Sequence, residues 1–114
     1  MLELIADHMI VDHMKEKDVE DVWSISQAYP YDSRWTRGMF EQEFHIPISR
    51  FLVVRHGTQE SSDSRVIGYG GYWKMGDQAH IVHLAVEPGW RRQGIGSLIL
   101  HELLRRAKEE KLSK

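Results

Sequence analysis

A basic segment with two glycines is the part of the sequence best suited to chemistry: Arg91–Gly96, with the sequence RRQGIG. It follows a hydrophobic stretch, Ala79–Val86, and a turn containing Pro88, and it opens a long amphipathic stretch that runs to Ala107. The start of a helix presents unpaired backbone N–H groups and the positive end of the helix dipole. Glycines there remove Cβ atoms that would keep a phosphate away from those amides. The pattern therefore predicts a strand, loop and helix that bind a diphosphate.

Two other interpretations of these glycines are possible. Glycines at a strand-to-helix turn can serve packing alone, and a bare Gly-x-Gly does not separate packing from binding. A Gly-Lys-Ser/Thr sequence, which binds nucleotide and magnesium, does not follow them, and the three-glycine dinucleotide fingerprint is absent. If the loop binds phosphate, we therefore expect a phosphate-bearing cofactor of another kind.

The rest of the chain predicts the elements that position this loop. Apolar periodicity predicts strands at Met9–Val11, Phe51–Val54, Val66–Trp73 and Ala79–Val86. Helices are predicted after the N-caps Asp18 and Thr36 and again from Ile95. The glycines of the third strand suggest a bulge or a close approach by another backbone or a ligand. This order predicts an α+β domain with a mainly antiparallel sheet.

Two segments stand outside these elements. Residues 1–8 receive no place in the predicted fold. The stretch Gly57–Arg65 is so polar that we expect an exposed, mobile loop.

Length and composition limit the function classes. A chain of 114 residues with 41% hydrophobic residues predicts one folded domain, residues 1–114. The net charge of −2 gives no reason to expect nucleic acid as a partner, and the lack of cysteine excludes disulfides and thiolate metal sites. Acidic residues near the N-terminus and the lack of a long apolar run predict a cytoplasmic protein without a membrane partner. We expect no metal.

Several stretches carry a resemblance to a known family. In the second half they are Gly68–Trp73 (GYGGYW), Asp77–Val86 (DQAHIVHLAV), Pro88 and Arg91–Gly96. In the first half they are Tyr29-Pro30, Trp35-Thr36, Phe40 and Arg50–Val54. The second half resembles the acetyl-CoA core of the GCN5-related N-acetyltransferase (GNAT) superfamily. The first half is similar to the RimI-type protein N-terminal acetyltransferases, also called ribosomal-protein-alanine acetyltransferases.

The resemblance implies the GNAT fold and acetyl-CoA as cofactor. The backbone of Leu84–Val86 would pair with the pantetheine arm, and the N–H of Leu84 could polarise the thioester carbonyl. Amides from Arg92 to Ser97 would hold the pyrophosphate, with charge added by Arg91 and Arg92. The implied cofactor residues are Leu84, Ala85, Val86, Arg91, Arg92, Gln93, Gly94, Ile95, Gly96 and Ser97.

The implied reaction is direct attack of a neutral amine on the acetyl thioester, which requires a base. His80 matches the position at which some superfamily members carry a catalytic glutamate; the alternative is a histidine that only covers the sheet. Strand alternation predicts that His80 and His83 face opposite sides, and His83 has the weaker claim to function. Tyr29, Tyr31 and Trp35 are the acceptor-binding candidates, because the family places this loop beside the acceptor peptide.

The resemblance also implies that the domain is incomplete. In RimI-type enzymes the segment after this helix adds strands, a catalytic glutamate and a catalytic tyrosine, whereas this sequence stops at Lys114. The leading hypothesis is an acetyl-CoA-dependent transferase that acts on the N-terminal α-amine of a protein or peptide. The alternatives are a catalytically silent cofactor-binding or assembly fragment, which could form a homodimer through an exposed sheet edge, and an acetyltransferase for a small amine.

Overall fold

The computed structural model describes residues 3–6, 9–57 and 65–113, which form one antiparallel sheet with helices on both faces. The strands are β1 (Glu3–Ala6), β2 (Met9–His13), β3 (Ser49–His56), β4 (Arg65–Met75) and β5 (Gln78–Val86). The helices are α1 (Val19–Ser26), α2 (Arg37–Gln42) and α3 (Ile95–Glu109). The strands are ordered β1-β2-β3-β4-β5, so each pairs with its neighbour in sequence. The predicted α+β class and antiparallel sheet are confirmed.

Residues 3–6 form strand β1, although residues 1–8 received no place in the predicted fold. Glu3 pairs with Val11 and Leu4 with Ile10, so β1 extends the sheet beyond β2. A four-residue strand has too few residues for alternation to reveal it, and its pairing with β2 defines it. The other unassigned stretch, the loop predicted at Gly57–Arg65, has residues 58–64 outside the described residues, and Arg65 already belongs to β4.

The two predicted N-caps differ in the structure. Thr36 caps α2 as predicted, because its hydroxyl accepts a 3.1 Å hydrogen bond from the N–H of Met39. Asp18 does not cap α1 with its side chain. Its carboxylate instead accepts a hydrogen bond from the N–H of Lys15 and binds the guanidinium of Arg55. The Asp18 side chain thus binds Arg55, which is distant in sequence, instead of capping α1.

Helix α3 packs closely on β4 and β5 and also contacts β3. It buries Ile95, Ile99, Leu103 and Ala107, which form the apolar face of the predicted amphipathic helix. A Cβ atom built on Gly70 of β4 would lie 2.7 Å from Cγ2 of Ile99 and 3.0 Å from Cδ1 of Leu103. The close approach at Gly70 is made by side chains of α3, whereas the sequence suggested another backbone or a ligand. None of the helices in the described part of the chain is long and apolar enough to cross a membrane.

Replacing Gly70 with alanine should destabilise the protein by about 1–3 kcal/mol, because the added methyl group overpacks the α3 interface. This steric cost exceeds the backbone advantage of alanine over glycine in a strand. Gly89→Ala is the matched control, since a Cβ atom there meets no heavy atom within 4 Å. Urea denaturation of both variants measures the difference. Equal stability of the two variants would contradict the close packing.

The pairing of β4 with β5 shifts by one residue at Val82. Gly71 pairs with His83, whereas Trp73 pairs with His80, so two steps on β4 correspond to three on β5. Residues two apart in a strand face the same side, and so do directly paired residues. His80 and His83 therefore lie on the same side of the sheet, and the predicted opposite placement is wrong. The physical reason is the bulge, which breaks strict alternation.

Candidate cofactor and acceptor site

A pocket of about 380 Å³ lies where the end of β5 meets the start of α3. Of the ten predicted cofactor residues, all except Gln93 line it. Gln93 is exposed to solvent in the loop. Tyr29 and Trp90 also line the pocket. Trp90 was not singled out from the sequence, although its position in the turn before Arg91 is a signal that could have found it.

The start of α3 offers backbone donors to this pocket. Gly94 is the N-cap residue with φ of +80°, a conformation that favours glycine, and no side chain caps the helix. The N–H of Leu98 bonds to the carbonyl of Gly94 at 3.0 Å. The N–H groups of Ile95, Gly96 and Ser97 precede it and therefore have no acceptor within the helix. A Cβ atom on Gly96 would make only an ordinary contact at 3.7 Å. The backbone conformation thus favours glycine at position 94, whereas close packing does not require it at position 96.

The end of β5 lines the same pocket on the side opposite the start of α3, and it offers backbone groups there. β5 is the last strand of the described sheet. Both the N–H and the carbonyl of Val86 point away from β4, because both bond to the side chain of Tyr29. Leu84 lies two residues earlier, so alternation directs its N–H and carbonyl to the same edge. The pocket wall is thus a strand edge that an extended ligand can pair with.

Tyr29 lies on the pocket between β5 and the basic loop. Its hydroxyl accepts hydrogen bonds from the N–H of Val86 and from Nε of Arg91, each at 3.2 Å, and donates one to the carbonyl of Val86. The guanidinium carbon of Arg91 also lies 4.9 Å from the centre of the Tyr29 ring. The structure thus places Tyr29 with the predicted cofactor residues.

The other two acceptor candidates surround a buried histidine. His83 is 3% exposed, and its ring makes an edge contact with Trp35 at 4.4 Å between ring centres. Nδ1 of His83 lies 3.0 Å from Oδ1 of Asp32, a close contact that is not aligned as a hydrogen bond. Tyr31 is 65% exposed, and its ring centre lies 6.5 Å from that of His83. These contacts tie the loop between α1 and α2 to β5.

Asp32 is the polar centre of this cluster, and sequence reasoning missed it. It is buried, and its Oδ2 accepts a 2.6 Å hydrogen bond from the hydroxyl of Tyr69. Burial by itself raises the pKa of Asp32, but the contacts with His83 and Tyr69 outweigh it and hold that pKa below its ordinary value. Burial, together with the Asp32 carboxylate, raises the pKa of Tyr69. The cluster therefore keeps an ionised carboxylate inside the protein.

His80, the predicted catalytic residue, has a different setting. It is exposed on the side of the sheet that also carries His83, and its Nε2 lies 3.3 Å from Oε1 of Gln78. Within the described ranges, no three His, Asp or Glu residues group into a metal site.

Comparison with known proteins places this geometry in a family. Residues 16–114 match the model of the acetyltransferase (GNAT) family. A putative [ribosomal protein bS18]-alanine N-acetyltransferase of Bacillus subtilis (strain 168) is 29% identical over 101 residues, which are 88% of this chain and 62% of that protein.

Solved structures show the same fold. The ribosomal-protein-S18-alanine N-acetyltransferase of Escherichia coli has a TM-score of 0.70 at 19% identity, over 90% of this chain and 61% of that one. The PaiA N-acetyltransferase of Thermoplasma acidophilum, in complex with coenzyme A, has a TM-score of 0.70 at 15% identity, over 91% and 74%. The chain spans less than two thirds of the length of the B. subtilis and E. coli proteins. By its family match and its fold, this chain belongs to the acetyltransferase (GNAT) family.

Proposed function

We propose that this chain binds acetyl-CoA in the pocket between β5 and α3 and belongs to an enzyme that acetylates the N-terminal α-amine of a protein or peptide. The observation that carries the proposal is the pocket itself, which combines the open edge of β5 with the uncapped start of α3. Acetyl-CoA supplies an activated acetyl thioester. Coenzyme A in the T. acidophilum structure and the names of the B. subtilis and E. coli relatives support the proposal.

The residues present fit the parts of this cofactor. The free N–H groups at Ile95, Gly96 and Ser97 suit a diphosphate, and Arg91 and Arg92 add positive charge beside them. These residues, with Gly94 and the exposed Gln93, make up the phosphate end of the proposed site.

The arm of the cofactor would lie at the edge of β5. The outward-facing backbone of Leu84 and Val86 can pair with an extended amide chain, and Ala85 lies between them. The N–H of Leu84 can polarise a carbonyl oxygen on which negative charge develops.

The acceptor would approach from the side of the sheet that carries the loop between α1 and α2. Tyr31 is exposed there, Trp35 is half-buried, and His80 lies on the same side. We propose His80 as the group that removes the amine proton, directly or through water. An acceptor that is a small amine would use the same elements, and a comparison of peptides with small polyamines as acceptors decides between them.

A second candidate function is a catalytically silent binding or assembly module. The open edge of β5 favours it, with Ile81 and Leu84 about 40% exposed, because such an edge can pair with a second copy of the chain. A stable monomer in light scattering would contradict the homodimer, and steady acetyl transfer by this chain would exclude the silent module. A cytoplasmic location and the lack of nucleic-acid or membrane partners stay predictions from the sequence.

The cofactor proposal is tested by calorimetric titration with CoA and acetyl-CoA. The unmodified chain should bind both ligands, and Ser97→Glu should weaken binding at least about tenfold, because its carboxylate would stand where the diphosphate binds. An acid in the first turn favours the helix itself, so the loss would not come from unfolding. His101→Glu is the control, with the same added charge on an exposed position outside the pocket.

Two outcomes would contradict this assignment. If the folded, unmodified chain gives no binding at millimolar ligand, the cofactor proposal is wrong. If Ser97→Glu and His101→Glu bind CoA equally well, the ligand does not lie at the start of α3. Mass spectrometry of peptides incubated with acetyl-CoA then tests the acceptor, with a blocked N-terminus as the negative control.

A further inference from the structure

We propose that the Tyr29 hydroxyl takes the place of the pantetheine arm in the free protein and is displaced when CoA binds. This inference rests on the proposed function and moves Tyr29 from the acceptor site to the cofactor site. Its basis is that one hydroxyl satisfies both outward-facing backbone groups of Val86. An arm amide that pairs with the same residue would offer the same two contacts, one acceptor and one donor.

Tyr29 and an arm cannot both occupy this part of the edge. The N–H of Val86 is a single donor, and its partner in the free protein is Oη of Tyr29 at 3.2 Å. The Tyr29 ring also lines the pocket together with Leu84 and Val86. A ligand that pairs with β5 must therefore break these hydrogen bonds and move the ring.

The displacement requires a movement of the side chain only. The N–H of Tyr29 bonds to the carbonyl of Ser26 at 3.1 Å, and its carbonyl accepts a bond from the N–H of Ser33 at 2.8 Å. These bonds hold the backbone on both sides of the residue. Rotation of the Tyr29 side chain can open the arm position while the loop keeps its place.

Arg91 connects this movement to the phosphate end of the pocket. Its Nε bonds to the Tyr29 hydroxyl at 3.2 Å, and its guanidinium lies against the Tyr29 ring. When Tyr29 moves away, Arg91 loses both contacts and becomes available to a phosphate. Binding of the arm thus prepares the charge that binds the diphosphate.

Tyr29→Phe tests the inference, because it removes the hydroxyl and keeps the ring. We expect this variant to bind CoA and pantetheine about three- to tenfold more tightly, the ordinary range for one net hydrogen bond. Adenosine 3′,5′-bisphosphate has phosphates but no pantetheine arm. Tyr29→Phe should therefore increase the affinity for this compound less than the affinity for pantetheine. Ser33→Ala removes an exposed hydroxyl from the same loop and should leave all three affinities unchanged.

The outcomes separate this inference from the proposed function. Equal or weaker CoA binding by Tyr29→Phe would overturn it, and so would a gain seen with the bisphosphate alone. Failure of the unmodified chain to bind CoA would contradict the proposed function on which the inference rests.

A measurement on the unmodified chain does not depend on how the variant folds. In NMR spectra, saturation with pantetheine should shift the ring resonances of Tyr29 together with the amide of Val86. A shifted Val86 amide with an unchanged Tyr29 ring would also overturn the inference.

Discussion

Replacing Arg55 with methionine should destabilise the protein by about 3–5 kcal/mol, the cost of breaking a buried ion pair on one side. Arg55 is 5% exposed; its Nη1 lies 2.7 Å from Asp12, and its Nη2 lies 2.6 Å from Asp18. Asp12 and Asp18 are buried as well. The variant therefore keeps two carboxylates in the interior without the guanidinium that compensates them, and urea denaturation near pH 7 measures the loss.

The stability difference between the Arg55 variant and the unmodified protein should also change with pH in a definite direction. Burial raises the pKa of Asp12, but hydrogen bonds from Arg55 and Lys15 outweigh it, so that pKa lies below its ordinary value of 3.8. The unmodified protein therefore has this stabilisation above about pH 3.8 and loses it as the pH falls through the folded-state pKa. Without Arg55 the burial of Asp12 has less to offset it, so the pKa of Asp12 is higher and its carboxylate becomes neutral as the pH falls. The stability difference between the two proteins should thus narrow from about pH 7 to about pH 5.

Arg37→Met is the control for the loss of an arginine. Arg37 is 59% exposed and pairs with Glu20 at 2.9 Å on the surface, so its removal should cost less than about 1 kcal/mol. The buried pairing would be contradicted if the Arg55 variant were as stable as the Arg37 variant. A stability difference that stays constant between the two pH values would also contradict it.

Local pattern was sufficient for the fold class and for the backbone of the proposed cofactor pocket. The stretch Ala79–Ala107 carries its own signals: a mainly apolar strand, a proline turn, a basic loop with two glycines and a helix with one apolar face. Each signal depends on neighbours within a few residues, and the strand and the helix formed as predicted. The resemblance to the GNAT family came from the same stretch, and the family match confirms it.

Contacts between distant residues were not predictable in the same way. The Tyr29 hydroxyl reaches Val86, 57 positions away, and Asp18 leaves its predicted capping role for Arg55, 37 positions away. The bulge at Val82 shows the same limit, because only the pairing with β4 reveals the extra residue that brings His83 to the side of His80. Polar partners and register therefore decide which side chains share the site, and neither follows from local periodicity.

The buried Asp32 cluster yields the second large effect. Asp32→Ala should cost about 2–4 kcal/mol, because the Tyr69 hydroxyl and the buried His83 ring lose the carboxylate that faces them. The lowered pKa of Asp32 means that its stabilisation is present above about pH 3.8 and disappears at lower pH. The difference between the variant and the unmodified protein in urea denaturation should therefore be smaller near pH 3 than near pH 7.

The same substitution separates positioning from proton transfer. Asp32 lies in the short turn Asp32–Arg34, between Tyr31 and Trp35, so its loss should loosen the proposed acceptor loop and raise KM for the acceptor. His80→Gln is the matched comparison, since His80 is exposed and its loss should leave stability within about 0.5 kcal/mol. If His80 takes the amine proton, that variant should lower kcat and alter its pH profile. Unchanged stability of Asp32→Ala would contradict its place at the centre of the buried cluster, and a loss of stability in His80→Gln would contradict the exposed setting of His80.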